Sequence, residues 1–177
     1  MSTLQTATLG GGCYWCLDAF YRRIKGVESV TSGYSGGHVP SPTSDQIYSM
    51  TTGHAEVVQL KFDQDVISYR EILEIFFAMH DPTTLNRQGP DVGPIYRSVI
   101  FYHDEKQRET AKDMIENFAP TIYKDPVVTE LSKFEKFWPA SEDQQDFYNS
   151  GRRPDYCTFV IDPKLQKLRQ KFAKRLK

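Results

Sequence analysis

The sequence predicts an α+β chain, a sheet covered by helices, and three observations carry that prediction. Segments of strand and helix character alternate in the order β-α-β and then β-α-β again. Glu56 to Phe62 alternates apolar and polar residues with a period of two. Several segments place apolar residues at helical spacing on one face. Together they suggest a split βαβ, ferredoxin-like two-layer sandwich with C-terminal additions. The expected organisation is one domain over residues 1–177, with a core of about 6–131 and a C-terminal extension of about 132–177.

The elements follow in order. Ala7 to Leu9 reads as a short strand running into Gly10-Gly11-Gly12. A helix begins near Cys13 and carries Leu17, Phe20, Tyr21 and Ile24 on one face. Val27 to Ser35 reads as a second strand, and Gly36 to Gly53 as a Gly/Pro/Ser-rich loop. In the next strand Glu56, Val58, Leu60 and Phe62 share a face. Ser68-Tyr69-Arg70-Glu71 is a capping box, opening a helix that buries Tyr69, Ile72, Leu73, Phe76 and Phe77 and ends by Pro82. A loop from Asp81 to Pro94 leads to a strand at Ser98 to Tyr102. Asp104 with Gln107 then opens a helix through Phe118. Val127 to Leu131 reads as an added strand, and Thr158 to Ile161 has strand character. Asp162-Pro163 starts a C-terminal helix with the stripe Leu165, Leu168, Phe172 and Leu176.

Bulk composition narrows the function classes. Hydrophobic residues at 39% and charged residues at 25% fit a soluble globular chain. A net charge of −1 invites neither nucleic acid nor an anionic membrane. No apolar run approaches the ~20 residues that span a bilayer, and Met1 to Gly10 lacks the basic start of a signal peptide. Three cysteines, Cys13, Cys16 and Cys157, are too few for a disulfide scaffold at this length. Catalytic or metal-binding thiols in a reducing compartment are the better expectation, which points to the cytoplasm, and a monomer is expected. His54, His80 and His103 show no ligand spacing, and no metal is expected.

The residues with chemical potential are few. Cys13 follows three glycines and opens a helix, whose N–H groups and positive dipole end favour a thiolate. A buried small hydrophobe is the plainer fate of a cysteine. Tyr14 and Trp15 suit either core packing or a pocket wall for a methyl and a polarisable sulfur. Cys16 stands three residues on, on the same side of the helix, as a possible disulfide partner. Glu56 shares an apolar face. A carboxyl there loses hydration and can hold a proton as a general acid, unless it lies at the strand start outside the core. Asp91 in a Pro/Gly loop reads alone as a turn residue.

These residues together resemble the A-type peptide methionine sulfoxide reductases, which act on the S epimer. The resemblance runs from about Thr8 to about Phe172. It rests on Gly11-Gly12-Cys13-Tyr14-Trp15-Cys16, Gly33-Tyr34-Ser35-Gly36-Gly37, Gly53-His54-Ala55-Glu56-Val57-Val58, His80-Asp81-Pro82-Thr83 and Tyr96-Arg97-Ser98, in the family's order and spacing. It implies that Cys13 is the nucleophile and Glu56 the proton donor. Tyr96 would hydrogen-bond the sulfoxide oxygen, Asp91 would support the site, and Trp15 and Tyr14 would box the methyl. It implies no bound cofactor, with thioredoxin (or dithiothreitol in vitro) as reductant and methionine sulfoxide, free or in oxidised proteins, as substrate. Cys13 would become a sulfenic acid that a second thiol condenses with. Cys16 and Cys157 are both candidates. Cys16 is expected on effective concentration, while Cys157 sits near the family's C-terminal resolving position, after the loop-like Arg153 to Tyr156.

The sequence departs from that pattern in places. Tyr14 replaces a usual Phe and adds a hydroxyl needing a partner. Ser44 stands where the family has a Tyr after Pro-Thr, which removes one hydrogen bond to the sulfoxide oxygen. Gln144 replaces a common His and Met50 a common Gly. Two rival readings remain. One is a thioredoxin-like disulfide oxidoreductase using Cys13 and Cys16, though the chain lacks a Gly-Pro between them. The other is a peptide-docking module whose basic C-terminal helix would favour acidic partners, against the plain reading that those lysines complement the helix dipole.

Overall fold

The computed structural model describes residues 3–152 and 154–177. The elements are β1 (Leu4–Gly10), α1 (Tyr14–Tyr21), β2 (Val27–Ser35), α2 (Ser44–Tyr48), β3 (Ala55–Asp63), α3 (Tyr69–Met79), β4 (Arg87–Gln88) and β5 (Asp91–Val92). There follow β6 (Val99–Tyr102), α4 (Glu105–Asp113), α5 (Ala119–Ile122), β7 (Glu130–Lys133), β8 (Phe137–Pro139) and α6 (Asp162–Phe172). The fold is α+β with a mixed six-stranded sheet of order β7-β6-β1-β3-β2-β8. The pairs among β6, β1, β3, β2 and β8 are antiparallel, and β7 alone joins in parallel, to β6.

Periodicity explains which face each strand shows. Glu56, Val58, Leu60 and Phe62 are buried toward the helices, as their alternation predicts. Leu17, Phe20, Tyr21 and Ile24 of the α1 region and Ile72, Leu73, Phe76 and Phe77 of α3 meet that face in one core. Each such side chain contributes about 1.5–3 kcal/mol when fully removed from water. Val57 is buried as well, because the outer face is covered locally: Ala55, Val57, Val99 and Phe101 pack against Phe134 and Phe137. Alternation along β3 alone could not reveal that second cover.

The start of α3 is the expected box: the Glu71 N–H donates to Ser68 Oγ at 3.1 Å and the Ser68 N–H to Glu71 Oε1 at 3.0 Å. The loop 36–53 is not structureless. Thr43 and Gln46 form a second capping box and open the short α2. The loop 81–94 likewise holds the small ribbon β4–β5. The added strand lies at Glu130–Lys133, shifted toward the C-terminus from 127–131. The helix after Asp104 leaves α-geometry for a π-helical turn over Met114–Phe118.

The strand character of Thr158 to Ile161 is overturned. Residues Cys157–Ile161 form a π-helical turn continuous with α6. The physical reason is burial at helical spacing: Cys157, Ile161, Leu165 and Leu168 are all 2% exposed or less and face the core together. Among the described residues of 154–157, Pro154 begins this helical stretch, with the Cys157 N–H donating to its carbonyl at 2.9 Å; Arg153 lies outside the described residues. No helix among the described residues is long and apolar enough to cross a membrane.

Candidate active site

The site forms where β1 ends and α1 begins. Gly12 has φ +96°, and a methyl group on it would sit 2.6 Å from Gln88, so only glycine lets the chain turn here against β4. Gly11 lies against the His80 ring, where an added Cβ would be 3.0 Å away. His80 is fixed in turn: Nδ1–H donates to the Phe76 carbonyl at 2.5 Å, and Nε2 accepts from Ser98 Oγ at 2.8 Å. Burial holds its pKa down to about 3, so the ring is neutral. His54 performs a similar task, accepting from the Gly37 N–H and donating to the Val39 carbonyl, which ties the glycine loop to the start of β3.

Cys13 is the N-cap of α1, with extended backbone at φ −63° and ψ 131°. It is half-buried. The expectation of a pre-formed thiolate fails. Burial pushes the thiol pKa well up, and the negative potential of Glu56 and then Cys16 pushes the same way. Only the Trp15 amide counters them among these influences, and weakly, since the Cys13 side chain makes no capping hydrogen bond. A helix end supplies partial charge, but desolvation and a neighbouring carboxyl outweigh it here.

Glu56 is 1% exposed, and its Oε1 accepts from the Tyr14 N–H at 3.1 Å. That bond settles its two readings: the carboxyl is inside and lies against the first turn of α1. Burial raises its pKa to about 8, opposed by the Tyr14 amide and helped by Asp91. The carboxyl is therefore mostly protonated at neutral pH, which is what a general acid requires.

The other expected residues gather around this pair. Tyr96 ends a single turn at Pro94–Tyr96. Its hydroxyl pKa is raised by burial and then by Glu56, Tyr48, Cys13 and Asp91. Asp91 accepts from the Tyr156 hydroxyl at 2.6 Å, so it is no mere turn residue. Trp15 stacks on Phe147 with ring centroids 3.7 Å apart, and its Nε1–H donates to Gln144 Oε1 at 3.0 Å. The glutamine that replaces a common histidine thus orients the tryptophan. Tyr14 is enclosed rather than lining an open wall, and the partner its added hydroxyl needs is Tyr34, at 2.9 Å. Cys16 is buried, its Sγ 3.5 Å from the Tyr156 hydroxyl. Cys157 is buried among the α6 stripe.

Ser44 is drawn away from its expected place. Its exposed hydroxyl lies on the Tyr34 side of α2, where it opposes the rise that burial gives the Tyr34 pKa. Tyr48 stands one helical turn further along α2 and is half exposed; the partial burial of its hydroxyl, then Glu56, Tyr34, Cys13 and Asp91, raise its pKa. Sequence reasoning missed Tyr48, Tyr34 and Tyr156. The Thr43–Gln46 capping box was the available signal for α2, and hence for Ser44 and Tyr48 sharing a face. A cavity of about 380 Å³ lined by Gln5, Tyr69, Asp104 and Gln107 lies at the opposite end of β1 and β3, and no cysteine lines it.

Residues 5–176 match the sequence profile of the family described as peptide methionine sulfoxide reductase. This chain belongs to that family. A peptide methionine sulfoxide reductase MsrA from Saccharolobus solfataricus is 56% identical over 174 residues, 98% of each chain. One from Thermus thermophilus is 46% identical over 173 residues, again 98% of each. Among solved structures, methionine sulfoxide reductase A of Corynebacterium diphtheriae superposes with a TM-score of 0.81 at 27% identity, over 90% of this chain and 82% of that one. Mxr1 of Saccharomyces cerevisiae in reduced form superposes at 0.77 and 30% identity, over 85% and 88%. As a peptide methionine sulfoxide reductase, the chain is an oxidoreductase that reduces methionine sulfoxide to methionine at the expense of thiols.

Proposed function

We propose that Cys13 is the nucleophile and Glu56 the acid in reduction of methionine S-sulfoxide, free or in proteins. The carrying observation is the buried, protonated Glu56 carboxyl bonded to the Tyr14 amide, one residue from the thiol. The sulfur of Cys13 attacks the sulfoxide sulfur while Glu56 protonates the oxygen. The oxygen passes from the methionine sulfur to the Cys13 sulfur as the transient sulfur–sulfur bond breaks, so methionine leaves, Cys13 becomes a sulfenic acid, and the thiol proton replaces the one Glu56 gave up. Burial chiefly holds the Cys13 thiol protonated, and a protonated Glu56 removes the second influence, its own repulsion. Tyr96 and Tyr48 supply hydroxyl donors to the oxygen, and Trp15, braced by Phe147 and Gln144, covers the methyl.

A second thiol then condenses with the sulfenic acid, releasing water, and an external dithiol reduces the disulfide by exchange. Thioredoxin fills that role in this reading, with dithiothreitol as its substitute in vitro and no bound cofactor. The same reading gives a monomer working in a reducing cytoplasm. The antiparallel order β6-β1-β3-β2 around two βαβ units supports reading the core as ferredoxin-like. A disulfide oxidoreductase built on Cys13 and Cys16 needs no hydroxyl donors converging on a sulfoxide oxygen, and the docking module needs no reactive thiol.

The test is turnover of separated sulfoxide epimers with dithiothreitol. The S epimer is consumed and the R epimer is not, and Cys13→Ser abolishes turnover because a hydroxyl is a far weaker nucleophile. Turnover that persists in Cys13→Ser would remove the nucleophile from this reading.

A further inference from the structure

Tyr156 is placed where neither packing nor the first chemical step requires a hydroxyl. It comes from the C-terminal extension, at the start of the helical stretch that leads into α6. Its ring meets Trp15 edge-on with centroids 6.0 Å apart. Its oxygen lies 2.6 Å from Asp91 Oδ2 and 3.5 Å from Cys16 Sγ. A phenol has one proton. The short contact to a carboxylate takes that proton, so the oxygen lone pairs accept from the Cys16 S–H. The direction of the chain is then fixed: thiol to phenol, phenol to carboxylate.

Cys16 needs such a path. It is 2% exposed, and burial raises its thiol pKa, so bulk water does not readily remove its proton. The groups facing it are Lys164 of α6, Tyr156, Asp91 of β5, Glu56 of β3 and Cys13. Lys164 favours the thiolate but cannot accept a proton while charged. Asp91 can, and it also lies within electrostatic reach of Cys13.

We propose that Tyr156 relays the Cys16 proton to Asp91 as Cys16 closes the disulfide with oxidised Cys13. This rests on the reading of Cys13 as the nucleophile. The step balances. Cys16 sulfur bonds to Cys13 sulfur, and the Cys13 sulfur–oxygen bond breaks. The Cys16 proton passes to Tyr156 as the phenol proton passes to Asp91, and the proton released there accompanies the departing hydroxide as water. The sulfenic sulfur is reduced and the Cys16 sulfur oxidised, so no outside redox partner enters. Tyr156 also positions Cys16, since its oxygen marks one place for the thiol.

The experiment is a single turnover without reductant in the wild type and Tyr156→Phe, with free methionine sulfoxide. Methionine release, dimedone-reactive sulfenic acid and loss of free thiol are followed separately, across pH 6 to 9. The phenyl ring keeps the edge contact with Trp15. The expected result is a methionine burst of full amplitude in both proteins, with disulfide closure slowed tenfold or more in the variant and sulfenic acid accumulating. Closure in the variant becomes steeper with pH, since Cys16 must then ionise unaided, and Tyr156→His partly restores the rate. Equal closure rates in the two proteins overturn the relay, as does an equal slowing at every pH, which marks a purely structural role. A wild type that gives no burst overturns the nucleophile reading instead.

Discussion

At the scale of single residues, Glu56 shows how burial turns a common side chain into an acid. The alternation of β3 pointed it at the core, and the Tyr14 amide holds it there. Its pKa of about 8 gives two predictions of definite sign. The rate of methionine formation is carried by the protonated form, so it falls as pH rises through about 8. Glu56→Gln slows the first reduction by roughly 10²–10⁴-fold and flattens that descending limb; stopped single-turnover measurements from pH 6 to 9 check both. A rate that does not change in the glutamine variant would take Glu56 out of the mechanism.

The same residue affects stability. Its folded pKa lies above the ordinary value of 4.5, so the folded state binds the proton more tightly than the unfolded state. The contribution is whole below about pH 4.5 and is lost as pH rises toward and through about 8. Each pH unit in that window costs up to ~1.4 kcal/mol. Glu56→Gln lacks this loss, so its stability advantage over the wild type grows between pH 5 and pH 8. Denaturant unfolding at the two pH values measures it, and an advantage that shrinks with pH contradicts the raised pKa. The Cys13 pKa was not legible in the same way. A helix start after glycines foretold a lowered value, but the sequence did not reveal that a carboxyl and a second thiol share the enclosure.

At the scale of elements, α2 explains a departure that sequence comparison alone misreads. Ser44 stands where the family has a tyrosine, which by sequence alone removes a hydroxyl donor. In the folded chain Ser44 opens α2, and Tyr48 stands one turn further on the same five-residue helix. Residues four apart on a helix lie on one face, so the hydroxyl has moved along α2 rather than vanished. Tyr48→Phe is therefore expected to lower kcat/KM by about 2–10-fold, equivalent to one hydrogen bond of ~0.5–1.5 kcal/mol. Ser44→Tyr is expected to give no gain, because it crowds Tyr48 on the same face of α2. Steady-state kinetics on both variants decide it; a rise in Ser44→Tyr with no effect in Tyr48→Phe would show that Tyr48 is a bystander. Strands β1, β2, β3 and β6 and helix α3 were readable because period and caps agreed over many residues. The short α2 and the β4–β5 ribbon were not, since each depends on a few turn residues and on what they pack against.

At the scale of the whole molecule, the C-terminal extension decides which thiol can reach Cys13. It folds back over α1: the Asp146 N–H donates to Asp18 Oδ2 at 2.9 Å, and Gln145 exchanges hydrogen bonds with Ser32 on β2. Cys157 belongs to this segment, and its sequence neighbourhood looked like a loop able to swing. It is instead in a π-helical turn, completely buried, at the head of the stripe Cys157, Ile161, Leu165 and Leu168. Bringing it to Cys13 requires unwinding that turn and exposing Ile161 with it, at about 1.5–3 kcal/mol for a side chain of that size, besides losing the Tyr156 bond to Asp91. Cys16 needs far less. Side chains at i and i+3 inside a helix have Cβ atoms ~5–6 Å apart, against ~3.8 Å in a disulfide. Cys13, however, is the extended N-cap, and its carbonyl already accepts from the Cys16 N–H at 3.1 Å, so closure adjusts only the first turn. Peptide mapping after one equivalent of sulfoxide and no reductant is therefore expected to give a Cys13–Cys16 bridge. Cys157→Ser then recycles through thioredoxin at the wild-type rate and Cys16→Ser stalls after one methionine, while hydrogen exchange across 155–168 is the same before and after oxidation. A Cys13–Cys157 bridge, with Cys16→Ser recycling normally and faster exchange in that segment, would instead make the π-helical turn a hinge that opens in every cycle.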